Sequence, residues 1–429
     1  MLLVACGGDK KDAAAGGEAP ADAADIKADK GVDLAKKVVR FGTLNDESGP
    51  AATIGKPYAL GKRILVEQVN AGGTGLLPEG WTVELVEKDH GYNPQKAVQA
   101  YNQIKNDVLL IATSFGTPNT LPLRPMLKRD KLVALPASLS SEMAKHPYTP
   151  PGAPSYVMEA MRAMDFVVDE VKKAGKDAAS IKAGIIYQQD DYGMDGLSGW
   201  KQAAEHHGVT IVSEQTVTPG QRDFAAVVTA LKDAGASHVM LTVLPSASAP
   251  ILATASQLLY KPVWMGQSPS WVDRFFDPEV IPAAVFETYH RVDAAPYWGE
   301  KLPGMDKFLA AYEKYGRKHM KPDGYILGSY LQGVAALEAT KRAIEAGDLT
   351  RNGVLKAMQS IDNWRPMGMA QPISLTSMPY VTATATRVSQ PDFANKTWKI
   401  AADYASPAAL GKSDTATTAA AGVTDPKRP

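Results

Sequence analysis

Two apolar runs, each ending in a hydroxyl-rich loop, constrain this chain more than any other feature. Val108 to Ala112 leads into the small-residue loop Thr113 to Thr120, and Leu132 to Leu135 leads into Pro136 to Ser141. Short, continuously apolar runs bounded by turn residues predict strands buried on both faces of a parallel sheet. Strands of one direction release their loops at the same edge. Asn119 and Thr120, just before Leu121, are good N-cap residues, so free backbone N–H groups are expected to point out of the first loop. Open α/β sheets bind ligands at such an edge, and a helix N-terminus there suits an anion. No catalytic base lies nearby in sequence, so the two loops read as a grip and not as a reaction centre.

Around this stretch, strand and helix patterns alternate. Val38 to Leu44 and Thr82 to Lys88 read as strands, Lys56 to Val69 as a helix, and Asn93-Pro94 as the capped start of another. Pro122 fits a first turn, whereas Pro125 predicts that the helix after Thr120 is irregular. A second series begins near Pro154, with strands at Ala183 to Tyr187, Val209 to Val217, His238 to Val243 and Pro262 to Met265. Two such series predict two Rossmann-like, doubly wound α/β lobes. Helices at Met305 to Tyr315, Tyr325 to Ala346 and Asn352 to Ser360, then strands at Tyr380 to Val388 and Thr397 to Tyr404, complete the pattern. Neither lobe is complete without this last part, so the chain crosses between lobes more than twice.

At 429 residues the chain can fill two cores. Its 46 basic and 46 acidic residues balance, and no basic block interleaves with aromatics, which argues against nucleic acid. No apolar run approaches the roughly 18 residues of a spanning helix. The one cysteine, Cys6, stands in Leu3-Val4-Ala5-Cys6-Gly7-Gly8. That pattern resembles a bacterial lipobox, in which the cysteine receives the lipid, although a basic and a long apolar segment do not precede it here. We read 1–6 as the remnant of a lipoprotein signal, 7–37 as a flexible Ala/Gly/Asp/Lys tether and 406–429 as a disordered tail. The first lobe is expected from 38–155 with 285–362, and the second from 156–284 with 363–405.

Enzyme signatures are weak. Gly196-Leu197-Ser198-Gly199 is one residue short of a nucleophile elbow and falls inside a helix pattern. Gly72-Gly73-Thr74-Gly75 lacks the spacing of a dinucleotide or phosphate loop. The histidines are scattered, and adjacent His206 and His207 cannot face one metal together. Neither a metal, a cofactor nor a catalytic residue is expected.

Taken in order, Ser48-Gly49-Pro50, Asp89 with Asn93-Pro94, the Thr113 to Thr120 loop, Pro136-Ala137-Ser138, Asp191-Tyr192-Gly193 and Met265-Gly266 resemble the leucine/branched-chain amino acid-binding family of ABC-importer solute-binding proteins. The resemblance spans about 38 to 400. It implies two lobes joined by a three-segment hinge, a ligand cleft between them and closure by hinge bending. It further implies that Thr117, Ala137 and Ser138 hold the ligand from the first lobe, with Ser114 and Asn119 flanking them. Tyr192 would close from the second lobe, and Tyr325 matches an aromatic position of the pocket. Four positions depart from the amino acid binders: Ile54, Leu139 and Leu244 are more apolar, and Ser268 stands where a carboxylate usually meets the ligand's ammonium.

The expected function is capture of a small organic solute by a monomer tethered to the membrane through lipid, and delivery to an ABC permease. The departures favour a carboxylate with an apolar or aromatic body over a free amino acid, with Asp46, Glu47, Asp191 or Glu142 as the residues able to replace the absent carboxylate. The alternatives are an ordinary branched-chain amino acid binder and a ligand sensor that signals without transport.

Overall fold

A computed structural model describes residues 26–410 of the chain. The first sheet contains four parallel strands, β1 (Val38–Asn45), β2 (Thr82–Asp89), β3 (Leu110–Phe115) and β4 (Ala134–Ala137), in the order β2-β1-β3-β4. β3 is buried along its whole length and runs past the apolar stretch through Thr113 and Ser114, which the sequence pattern places in the loop. Helix α1 (Ala52–Asn70) follows β1 and α2 (Pro94–Ile104) follows β2. Asn93 caps α2 by accepting a bond from the Lys96 N–H, with Pro94 at the first helical position.

The segment after β3 is broken, as Pro125 predicts. One turn, Thr117–Thr120, passes through a 3-10 turn, Leu121–Leu123, into Arg124–Asp130. The turn begins three to four residues earlier than the capping residues suggest. Its N-cap is Gly116, whose φ of 86° requires glycine, and Asn119 and Thr120 lie inside it.

The second sheet has seven strands. The segment opens with α3 (Tyr156–Lys173), then β5 (Lys182–Gln188), α4 (Asp191–His207), β6 (Thr210–Val217) and α5 (Ala225–Asp233). β7 (His238–Thr242), α6 (Pro245–Gln257), β8 (Val263–Gln267) and β9 (Tyr289–Asp293) follow. The chain then returns to the first lobe with α7 (Gly324–Glu345) and α8 (Arg351–Gln359) before β10 (Thr386–Asp392) and β11 (Thr397–Ala405) close the second sheet. Its order is β11-β10-β9-β8-β7-β5-β6, parallel from β9 to β6 and antiparallel at β10 and β11. In each sheet the strand order reverses once, at β1/β3 and at β5/β7, and these switch points place their loops against one another.

Several boundaries differ from those the sequence suggests. β9 pairs with β8 and β10, so the chain leaves the second lobe after Asp293 and not at 285. Ile373, Leu375 and Tyr380 pack into the first lobe's core, so the last crossing falls between Tyr380 and Thr386 and not at 363. Residues 26–37 do not form a free tether. Ile26 is buried in the first core, Lys27–Ala28 pair with Asp348–Leu349, and Val32–Asp33 pair with Val38 and Val39. The tail's first residues are also docked, with Leu410 buried and the Ala408 N–H donating to Asp165 at 2.8 Å. Cys6, 7–25 and 411–429 lie outside the described residues.

Gly31 marks the anchored N-terminal segment. It has φ 80°, and a Cβ there would lie 2.1 Å from the Leu109 backbone nitrogen, next to β3. Gly31→Ala is therefore expected to lower stability by more than about 1 kcal/mol in urea unfolding. A residue in a solvated tether would leave the unfolding midpoint unchanged.

Candidate functional site

The lobes meet across a cavity of about 260 Å³. Around it they are closed by direct bonds. The Ser141 N–H and hydroxyl donate to Asp195 on α4 at 3.0 and 2.9 Å, and the Ser246 hydroxyl donates to the Pro50 carbonyl at 3.1 Å. The Tyr325 hydroxyl donates to the Ser268 carbonyl at 2.7 Å, and the Gly324 N–H donates to Asp273 at 2.8 Å. Ala51, Ile54 and Phe115 of the first lobe share one apolar cluster with Leu244 and Trp271 of the second.

The sequence-predicted grip is largely assembled. Thr117, Ala137 and Ser138 line the cavity, and the Thr117 and Ser138 hydroxyls are 2.7 Å apart. A hydroxyl donates one bond and accepts two, so this pair keeps capacity for a ligand oxygen. Tyr192 and Ser268 line it from the second lobe and Tyr325 from α7, with Tyr192 edge-on to Tyr156 at 4.7 Å. Ile54, Leu139 and Leu244 are in the wall, as their apolar character suggests. Two flanking residues are not in it. The Ser114 hydroxyl bonds Thr120 at 2.8 Å behind the loop, and the Asn119 amide donates to the Phe115 carbonyl at 3.2 Å. These two shape the turn from behind.

None of the four carboxylates considered as substitutes reaches the wall. Asp46 accepts from the Gly49 and Ala51 N–H groups, Glu47 pairs with Arg63, and Glu142 pairs with Lys145. Asp191 opens α4 outside the cavity. The carboxyls that do line it are Asp273, Asp293, Asp323 and, on α3, Glu159. Glu159 Oε2 accepts from both the N–H and the hydroxyl of Ser268 at 3.1 Å, while Oε1 is buried without a partner. Ser268 thus supports a carboxyl brought by another element. A signal was present in sequence. Glu159 stands between Tyr156, Val157, Met158, Ala160 and Met161, and every residue from Tyr156 to Val168 is buried. An acid inside a helix buried all round needs a partner or a function.

Burial pushes the Glu159 carboxyl up to about 8, with Asp293 adding repulsion and the Ser268 bonds and Arg291 opposing the shift. Other ionisable groups share this wall. Arg291 places Nε 2.8 Å from Asp293 Oδ2 and lies over the Trp398 ring at 5.2 Å. Burial raises Asp293, Asp273 and Asp323, the last also through its neighbour Asp273, while Asp293 keeps Arg291 charged. Burial likewise keeps the Tyr156, Tyr192 and Tyr325 phenols protonated. The wall therefore carries hydrogen-bond donors, two basic side chains, Arg291 and Lys396, and acids whose ionisation burial opposes. No group of three or more His, Cys, Asp or Glu suited to a metal occurs among the described residues.

A second layer fixes the first-lobe wall. Lys62 is buried, and burial lowers its amine well below the usual lysine range. It donates to the Ser329 carbonyl at 3.0 Å and to Gln332 at 3.3 Å, and Gln332 in turn donates to the Pro136 carbonyl at 2.9 Å. This chain ties α1, α7 and β4 together beneath the loop that carries Ala137 and Ser138.

The sign of the Glu159 shift gives a stability test. Below about pH 4.5 the group is neutral both folded and unfolded. Between there and about 8 the unfolded chain ionises Glu159 while the folded chain resists, so stability falls as pH rises. Glu159→Gln removes the titration and should become increasingly stable relative to wild type across that window in urea unfolding. A pH-independent difference would show that Glu159 titrates normally.

The fold and cleft have known counterparts. The family profile described as periplasmic binding protein matches residues 38–378. A Leu/Ile/Val-binding protein homolog 7 from Brucella suis biovar 1 (strain 1330) is 28% identical over 325 residues, covering 71% of this chain and 77% of the relative. A fatty acid ABC transporter substrate-binding protein from Thermomonospora curvata superposes with a TM-score of 0.83 at 25% identity, covering 91% of this chain and 97% of the other. A branched chain amino acid ABC transporter protein from Thermus thermophilus, with bound valine, gives a TM-score of 0.76 at 20% identity over 87% and 97% of the two chains. These are solute-binding proteins and not enzymes. With its family match spanning 38–378, well over half of the chain, the chain belongs to the periplasmic binding protein family.

Proposed function

We propose that this protein captures an organic acid with an apolar body outside the cytoplasmic membrane and presents it, in the closed form, to an ABC permease. A closed apolar cavity whose own carboxyl favours its proton carries this reading. A neutral Glu159 donates through Oε1 to a ligand acceptor, and an anionic ligand meets Arg291 in the same wall. The Thr117 and Ser138 hydroxyls offer further bonds to the acid group. Contacts made by both lobes to one ligand are complete only on closure, so the ligand shifts an open–closed equilibrium. A micromolar dissociation constant, about 8 kcal/mol, suits capture followed by release. A lipid on Cys6 would hold the receptor near its permease, and a monomer suffices for this cycle.

One observation favours a second reading, a free amino acid. The unpartnered Oε1 would accept an ammonium group, which would ionise Glu159 and reverse its pH behaviour.

Titration calorimetry with leucine, valine and phenylalanine beside 4-methylpentanoate, 3-methylbutanoate and 3-phenylpropanoate separates the two. The deaminated acids are expected to bind more tightly at pH 6.5 and to weaken as pH rises through about 8. Thr117→Val should weaken them roughly 5- to 150-fold, the effect of leaving one buried bond unmade. Tighter binding of the amino acids, undiminished at high pH, would establish the second reading.

A further inference from the structure

The cavity does not end at the cleft. It continues toward the hinge side, where its walls come from α7, α8, the crossovers at 150–153 and 294–298, and the 366–375 segment. Six α7 residues line it, and four of them, Gly324, Gly328, Leu331 and Ala335, recur at helical spacing, with Tyr325 and Gln332 beside them. Positions i, i+4, i+7 and i+11 share one face, so they form a straight trough along about 16 Å of helix at 1.5 Å per residue. Two of the four are glycines and one is alanine. A Cβ built on Gly328 meets nothing within 4 Å, which identifies open space beside the helix at its centre. Met358, Ile373 and Leu375 face the same space and are apolar.

We propose that this trough is a subsite for a linear acyl chain, so that the ligand is a medium- or long-chain fatty acid with its head in the cleft and its tail along α7. The inference rests on the organic-acid reading of the cleft and names the class within it. A trough flanked by a helix and chain crossovers suits an extended chain, and its length exceeds that of any branched aliphatic side chain. Because two crossovers form its walls, a long tail also contacts the hinge side of the closed protein. Chain length then contributes to closure as well as to affinity.

The test is a calorimetric series of butanoate, hexanoate, octanoate, decanoate and dodecanoate, each below its micelle concentration, on wild type, Gly328→Ala and Gly328→Leu. Burying each added methylene should tighten wild-type binding about three- to fourfold until the trough is full. Gly328 has an ordinary helical backbone and vacant space beside it, so both variants should fold. Gly328→Leu should weaken decanoate and dodecanoate more than tenfold while leaving butanoate and hexanoate within about twofold, and Gly328→Ala should fall between. Binding that stops improving beyond butanoate, or an equal loss for all lengths in Gly328→Leu, overturns the subsite and leaves the organic-acid reading standing. If none of the five acids binds wild type, the subsite falls, and the organic-acid reading falls with it only if 4-methylpentanoate, 3-methylbutanoate and 3-phenylpropanoate also fail to bind.

Discussion

Parallel strands all point the same way, and the site of this protein depends on that constraint. In both sheets the strand order reverses once, so the loops after β1 and β3 in one lobe and after β5 and β7 in the other are splayed at their switch points. Facing the two edges across one gap brings Ile54, Thr117 and Ser138 opposite Tyr192 and Leu244 without any of them being neighbours in sequence. The crossings between lobes then lie behind the gap. A cavity opened there by small residues on α7 is continuous with the cleft, as observed.

Closing such a gap removes water from whatever lines it. For apolar side chains this is favourable, and the cluster joining Ala51, Ile54 and Phe115 to Leu244 and Trp271 is its product. For Glu159 it is costly, and the fold responds by fixing Oε2 with two bonds from Ser268 while burial favours the protonated acid. The charge state of this carboxyl therefore follows from the degree of closure and from the ligand. An acceptor stabilises the proton, whereas a cation displaces it. The same desolvation acts on Asp273, Asp293 and Asp323, while Asp293 opposes it by holding Arg291 in its charged form.

Much of the fold was legible in sequence because strand period, glycine stops and proline positions are local signals. Gly208 and Gly347, both with positive φ, end α4 and α7 where helical periodicity stops, and Pro125 marks a break in the segment after β3. Lobe boundaries were less legible, since β9 gives no local sign of which sheet it joins. The site was half legible. Thr117 and Ser138 sit on loops whose sequences announce a strand end, but Glu159 reaches the cleft from a helix that precedes β5, and its pairing with Ser268 spans 109 residues. The serine was visible as a departure from a pattern. That another element supplied the carboxyl required three-dimensional placement. Residues 26–37 were misread because their polar composition conceals Ile26 and the close approach of Gly31 to Leu109.

The most direct measurement is a crystal structure with an ω-bromo long-chain fatty acid, such as 12-bromododecanoate, located by bromine anomalous scattering. The acid group is expected beside Thr117, Ser138 and Glu159, with the bromine peak on the hinge side between Gly328 and Ile373. A bromine peak at the cleft mouth would contradict the subsite along α7, and a carboxylate far from those three residues would contradict the acid-binding cleft on which the proposed function depends.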